Sequence, residues 1–386
     1  SHRLLAEPVA AHLSLFDRIH ATSDEHNLLG RHKLEALVED LGNEFDYAGD
    51  SRADLVIWQK ARKAFLVSPS PSIQRLAEQN HNVETILAPR TQGILSNALP
   101  LLKAVRPHQW VKNLLVFLPL LTSHSWGNSE ALLLAVLAFV AFSLAASSMY
   151  LLNDLLDIES DRAHPSKSRR PFAAGTASPI HGVVLMVIFL VLATICGTLV
   201  SEFFLALLCC YLILTCLYSF LLKKHTIIDV ITLAGLYTLR VIAGAAAISV
   251  SLSFWLLAFS MFIFLSLALI KRCTELRGKA QNLQPGTSGR GYIVSDLDQL
   301  YRMGVSSGYM SILVLALFIH SPEVSERYSN PQALWLLCPL WLYWISKIWL
   351  QTGRGEVDDD PIVHSLRDPT GWVTGIMSIL TVYLAL

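Results

Sequence analysis

Beyond Pro107 the chain is a series of long apolar runs separated by short polar breaks, whereas before it apolar and charged residues are mixed. A run of about 20 apolar residues is the helical length that crosses the hydrocarbon core of a bilayer. Nine such spans are read at 109–126, 131–152, 179–200, 203–222, 227–249, 252–271, 304–320, 332–350 and 371–386. The first carries Trp110, Lys112 and Pro119, and the last is short. The pattern predicts an all-α polytopic membrane bundle of nine transmembrane helices over 106–386, a linker over 93–105 and a soluble α/β piece over 1–92.

Composition agrees. Of 386 residues, 53% are hydrophobic and only 16% are charged, too apolar for an ordinary soluble domain of this size. Lys and Arg cluster in the breaks after the second, fourth, sixth and eighth spans, among them Lys167, Arg170, Lys224, Lys271, Arg272 and Lys347, while the alternate breaks carry only Arg327. That bias orients a multi-pass protein of the cell (inner) membrane with the basic loops and the N-terminal piece cytoplasmic and the C-terminus outside. The formal net charge is zero, which gives no basis for a nucleic-acid partner. No signal peptide is visible, and residue 1 falls inside a soluble-fold pattern, so the chain is expected to start upstream. The six cysteines lie mostly in apolar runs and read as small apolar residues in a reducing setting, not as a disulfide framework.

The second span ends on "NDLLDIESDRAHPSKSRRP", Asn153–Pro171. If the helix continues, Asp154, Asp157 and Asp161 fall at i, i+3 and i+7 on one face. Like charges stacked at a membrane surface repel and are partly desolvated. A divalent cation removes that cost, and Mg²⁺, or Mn²⁺ in its place, suits oxygen ligands completed by phosphate. His164, Lys167, Arg169 and Arg170 then hold the phosphate charge beyond the metal's reach, and Pro165 and Pro171 turn the loop. A solvated loop obeying the topology rule accounts for the bases but not for the acids. Arg240 lies within the fifth span, where a charge faces a polar cavity or pairs with a buried acid.

These residues resemble a known family. "NDLLDIESD" fits the NDxxDxxxD signature of the UbiA superfamily of intramembrane prenyltransferases. The resemblance implies a nine-helix bundle that binds a Mg²⁺-diphosphate at its cytoplasmic face, with the three aspartates as metal ligands and catalytic residues. Aromatic prenyltransferases of that family carry a second motif, DxxxD; here Asp229 is present but the position four residues on is Leu233. The blocks "RPHQWVKN" (Arg106–Asn113), "DRAHPSKSRRPFAAG" (Asp161–Gly175), Arg240 and "KRCTEL" (Lys271–Leu276) resemble the decaprenyl-phosphate phosphoribosyltransferase branch. That likeness implies transfer of 5-phosphoribosyl from phosphoribosyl pyrophosphate to a polyprenyl phosphate. The substrate-binding set is then Lys112, Asn153, Lys167, Arg170, Tyr218, Lys224, Asp229, Arg240, Lys271, Arg272 and Glu275, with Lys112 drawing the lipid phosphate. Glu275 either orients Lys271 or makes a surface pair; Tyr218 is a ligand or an interfacial residue. The alternatives are an aromatic prenyltransferase of the same fold using a prenyl diphosphate and, more remotely, a transporter. No internal repeat supports the transporter.

In the N-terminal piece, "FDYAGDSRADLVIWQKARKAFLVSPS" (Phe45–Ser70) reads as strand, acidic turn, helix and strand. It resembles the fourth motif of haloacid-dehalogenase (HAD)-type phosphatases, which implies Asp50 and Asp54 as Mg²⁺-holding acids and Lys33 as a phosphate-holding lysine. The nucleophilic DxD motif of that family does not precede residue 50, so a partial HAD-like domain without phosphatase activity is expected. "GRGEVDDDPIVHSLRD" (Gly353–Asp368) reads as a solvated cytoplasmic loop.

Overall fold

The structure is a computed structural model that describes residues 2–23, 27–67, 71–78, 83–87, 94–163, 167–281, 291–322, 324, 328–357 and 360–386. His164, Pro165 and Arg327 lie outside the described residues. The chain divides into two compact units, Ser1–Ser96 and Asn97–Leu386.

The first unit holds helices α1 (Arg3–Leu13) and α2 (Arg31–Leu41) and a three-stranded parallel sheet. Its strands β1 (Asp46–Gly49), β2 (Lys63–Val67) and β3 (Val83–Leu87) lie in sequence order. Parallel pairing needs crossovers, supplied by α3 (Leu55–Trp58) and α4 (Pro71–Glu78). Asp46 pairs with Lys63 and Val67 with Leu87. Alternation along β2 turns Ala64 and Leu66 inward onto Trp58 and Ala77. Phe45, Ile57 and Ala61 pack with Leu34 and Leu37 of α2. The strand–turn–helix–strand order read over 45–70 is present.

The second unit is helical. Residues 94–105, read as linker, form helix α5 (Ile94–Val105). After it come α6 (Leu118–Thr122), α7 (Ser129–Leu156), α8 (Ile158–Arg162), α9 (Pro179–Val200), α10 (Glu202–Phe220), α11 (Ile228–Ala247) and α12 (Phe254–Gln281). The chain ends with α13 (Leu297–Ile319), α14 (Leu337–Arg354), α15 (Pro361–Arg367) and α16 (Pro369–Ala385).

Seven helical stretches among the described residues are long and apolar enough to cross a membrane, not the nine expected. They are Ser129–Leu156, Pro179–Val200, Glu202–Phe220, Ile228–Ala247, Phe254–Gly278, Val294–Ile319 and Pro331–Arg354. The last expected span is α16, apolar but only 17 residues long. The first, 109–126, is no single α-helix: Pro107–Phe117 is a 3₁₀ helix that passes into the short α6. Such long 3₁₀ runs are uncommon because their hydrogen bonds are poor, so tertiary contacts hold this one. Trp110 Nε1 donates to Ser147 Oγ at 2.9 Å, and Asn113 Nδ2 to Ser143 Oγ at 3.1 Å. A Cβ on Gly244 would lie 2.1 Å from the Val116 carbonyl oxygen, so only glycine lets α11 approach this segment.

The two largest apolar clusters of the bundle each join four helices. One joins α11, α12, α13 and α14 through Val241, Leu269, Ile312 and Trp349; the other joins α7, α9, α10 and α11 through Phe142, Ala193, Phe204 and Leu239. Small residues of α7, including Ala138, Ala141 and Ala145, are fully buried, which brings helix backbones close without any hydrophobic drive from lipid. The outward faces of α9 and α10 expose Val183, Val187, Val191, Phe203 and Ile213, an apolar surface suited to lipid. All six cysteines are free, with Cys273 buried and Cys209 and Cys210 exposed.

Candidate active site

The acidic stretch does not continue as one helix. α7 ends at Leu156, and Asp157, at φ −93° and ψ 10°, breaks it before α8 begins. The turn stays tight because the Asp161 N–H donates to the Asp157 carbonyl at 2.8 Å. Asp154 and Asp161 are therefore still brought together, both buried. One nitrogen of Arg170, Nη1, donates to both, at 3.1 Å to Asp154 and 2.7 Å to Asp161. Arg106, at the end of α5, adds a fork of 2.7 and 3.0 Å to the two oxygens of Asp154 and lies over the Tyr150 ring. Asp157 is half-buried. Among the described residues no three acids, histidines or cysteines converge, so the expected trio is here a pair with Asp157 beside it. Asn153 is half-buried; Lys167 and Arg169 are exposed.

Arg240 is buried, and among the described residues it makes no ion pair with an acid. Nε donates to Asn113 Oδ1 at 2.8 Å, Nη1 to the Leu236 carbonyl at 2.6 Å and Nη2 to the Tyr211 hydroxyl at 3.1 Å. Its guanidinium also lies 4.8 Å from the Tyr211 ring centroid, a favourable cation–π distance. This network ties α10 and α11 to the 3₁₀ segment and so positions Lys112, one residue before Asn113.

Asp229 and Arg272 form a second closed network. Arg272 Nε and the Tyr292 hydroxyl both donate to Asp229, one to each carboxylate oxygen. Arg272 also donates to Glu275 at 2.6 Å and to the Tyr218 hydroxyl at 2.8 Å. Burial and the Asp229 carboxylate push the Tyr292 phenol up from its ordinary pKa. Glu275, expected to orient Lys271 or make a surface pair, bonds Arg272 and also lies within electrostatic reach of Lys271, and Tyr218 bonds the same guanidinium. Leu233 packs in the apolar core. Lys224 is exposed beside this region.

Lys112 is buried and its Nζ contacts Asp360 Oδ2. Asp360 belongs to the stretch read as a solvated loop, yet its side chain is only 14% exposed. Its other oxygen caps α15, accepting from the Ile362 N–H at 3.1 Å. Burial pushes the Asp360 carboxyl up, but the Lys112 ammonium outweighs it and holds the group below the ordinary carboxylate range. Lys271 lies within electrostatic reach of both. Among the described residues Lys112 is also the only charged one lining an apolar cavity of about 910 Å³, walled by Leu115, Phe259, Phe264, Trp341, Ile362 and Val382 among others. Neither Arg106 nor Asp360 stood out in the sequence. An acidic run ending at Asp360 just before Pro361 is, however, a helix-start signal.

In the first unit, Asp54 is buried at the end of β1. It accepts from the Tyr47 hydroxyl at 2.7 Å, Ser51 Oγ at 2.7 Å and Ser51 N–H at 3.0 Å, and Lys33 Nζ stands 3.5 Å away. Burial raises its pKa, but these bonds and Lys33 bring the net shift below the ordinary value. Asp50 is exposed; its N–H donates to Asp54 at 3.3 Å.

A family model described as "UbiA prenyltransferase family" matches residues 114–287. The nodulation protein NoeC of Azorhizobium caulinodans is 36% identical over 273 residues, covering 70% of this chain and 88% of that protein. The chain belongs to the UbiA prenyltransferase family. Within that family, a protein of Mycobacterium tuberculosis named decaprenyl-phosphate phosphoribosyltransferase is 36% identical over 178 residues, 45% of this chain and 59% of that one. The structure of a UbiA homolog from Archaeoglobus fulgidus bound to GPP and Mg²⁺ aligns with a TM-score of 0.56 at 17% identity, covering 74% of this chain and 99% of that one. The fold is thus the UbiA fold, and this member is a multi-pass membrane protein built of apolar helices. The haloacid-dehalogenase likeness of the first unit rests on its sequence motif alone.

The residues at the acidic end of α7 fit a divalent cation. Asp154 and Asp161 already share one positive nitrogen, that of Arg170, so their oxygens converge on a point where a cation is held. Two carboxylates are what Mg²⁺ usually takes from protein when phosphate oxygens complete its shell.

Proposed function

We propose that this UbiA-family protein transfers a 5-phosphoribosyl group from phosphoribosyl pyrophosphate to a polyprenyl phosphate, releasing diphosphate. The observation that carries the reading is the separation of two kinds of anion chemistry. Among the described residues Lys112 is the one charge lining an apolar cavity of about 910 Å³, which suits a lipid chain with an anionic head. The Asp154–Asp161 pair with Arg106 and Arg170 is a polar cluster of its own, which suits a diphosphate. The M. tuberculosis relative's name is consistent with this division. The aromatic reading asks for a second acidic site, and Asp229 is already neutralised by Arg272 and Tyr292.

In this reading Asp154, Asp161 and the neighbouring Asp157 hold Mg²⁺, which neutralises charge on the leaving diphosphate. Arg106 and Arg170, freed from the carboxylates, spread the remaining charge and orient the donor. Lys167, Arg169 and Lys224 from the loops and Asn153 from the end of α7 surround the donor. Lys112 and Lys271 hold the lipid phosphate. The bond from ribose C1 to diphosphate oxygen breaks, its electron pair leaving with diphosphate, and a lipid phosphate oxygen bonds to C1. That oxygen is already anionic at neutral pH, so no general base is required. The site and the first unit face the cytoplasm of a cell-membrane protein, as the basic loops indicate, and Lys33, Asp50 and Asp54 belong to a phosphatase-like site.

A substrate panel in membranes tests this. Phosphoribosyl pyrophosphate or geranylgeranyl diphosphate is supplied with either farnesyl phosphate or 4-hydroxybenzoate. Diphosphate release is expected only for phosphoribosyl pyrophosphate with farnesyl phosphate. Release from geranylgeranyl diphosphate with hydroxybenzoate overturns the reading.

A further inference from the structure

Resting on the acceptor site just described, we propose that Asp360 is a displaceable counter-ion: it holds Lys112 until a lipid phosphate arrives and is expelled from the ammonium by that phosphate. Three features of the structure converge on this. Among the described residues Lys112 is the one charged residue lining the apolar cavity, with Lys271 in electrostatic reach of it, so an anionic lipid head lodged there meets Lys112 first. Asp360 already occupies that ammonium. Ile362, Ser365 and Leu366 of the helix that Asp360 caps line the same cavity, so lipid and carboxylate approach from one side.

Charge makes the two occupants exclusive. Lys112 and Lys271 bring two positive charges, and Asp360 removes one. At pH 7, above its second ionisation, a phosphate monoester carries about 1.5 to 2 negative charges, which the lysines alone balance. Retaining Asp360 leaves a surplus negative charge in a half-buried site, where water screens poorly. The exchange is structurally cheap. Asp360 uses Oδ2 for Lys112 and Oδ1 for the cap on Ile362 and Val363, so the ion pair can open while the cap stays closed. The carboxylate thereby keeps a buried lysine satisfied between turnovers and weakens the hold on any lipid anion by a fixed factor, as any competing state does.

Asp360→Asn separates the two roles, since asparagine caps a helix as well as aspartate but carries no charge. Full chain in detergent or nanodiscs is titrated with farnesyl phosphate and with farnesol. The variant should bind farnesyl phosphate about tenfold more tightly (about 1.4 kcal/mol), between the worth of an exposed pair and a buried one, and farnesol unchanged. In a Lys112→Gln background the same change should have no effect. Unchanged or weaker farnesyl phosphate binding in Asp360→Asn overturns the proposal, as does an equal gain for farnesol. Failure of both wild type and variant to bind farnesyl phosphate at all defeats the acceptor reading itself.

Discussion

Arg272 and Asp229, 43 positions apart in sequence, form an ion pair in which neither side chain is exposed to any degree. Asp229 sits in the first turn of α11 and Arg272 in the C-terminal half of α12, so the pair clamps two adjacent helices. Removing one partner leaves the other charge buried and uncompensated, a loss of about 3–5 kcal/mol. Asp229→Ala should therefore lower the thermal midpoint of the detergent-solubilised protein sharply. The double change Asp229→Leu with Arg272→Met should recover part of the loss, because it removes both fully buried charges and leaves only the partly exposed Glu275 without its Arg272 partner.

Activity should respond differently to the three aspartates. Asp154→Asn and Asp161→Asn each remove half of a converging pair, and a fall of at least about 10²-fold in diphosphate release is expected, on the scale of losing one preorganised charge-stabilising group. Asp157→Asn should cost less, since that side chain stands beside the pair. Equal losses at all three positions would mean that Asp157 turns in to complete the site. A chelator should abolish activity and added Mg²⁺ restore it.

Gly244→Ala tests the support under Lys112. The added methyl would meet the Val116 carbonyl at 2.1 Å, and rigid backbone offers no relief. Overpacking of this kind costs about 1–3 kcal/mol. The variant should unfold at lower temperature and bind farnesyl phosphate more weakly, whereas Gly235→Ala, with nothing within 4 Å of its added carbon, should do neither.

Acid sensitivity should trace partly to Asp368, which receives Lys347 Nζ at 2.9 Å and caps α16. Burial raises its pKa, but Lys347 and the cap outweigh that and the net shift is downward. A carboxylate whose folded pKa is depressed contributes stability above its unfolded value of about 3.9 and loses it as pH falls through the folded value. Asp368→Asn should thus be less stable than wild type at pH 7, with the difference closing below about pH 4 in parallel thermal melts.

Much of the molecule is legible in its residue order. Apolar runs of bilayer length announce a helical bundle, because no other open structure satisfies its backbone in lipid. The acids after the second apolar run announce a polar cluster at a helix end, because charge beside an apolar run is costly unless it is paired, and the structure does bring Asp154 and Asp161 together on Arg170. What only the tertiary structure decided is which charge meets which. Arg240 settles on Asn113 and Tyr211 instead of an acid, Asp229 is consumed by Arg272, Arg170 bridges Asp154 and Asp161, and Asp360 reaches Lys112 from a stretch that reads as solvated loop. Periodicity along a chain reports that a position is buried, which is a local property. Which partner waits there depends on contacts between distant segments, and in a low-dielectric interior those contacts determine whether a charge braces the fold or remains available to substrate.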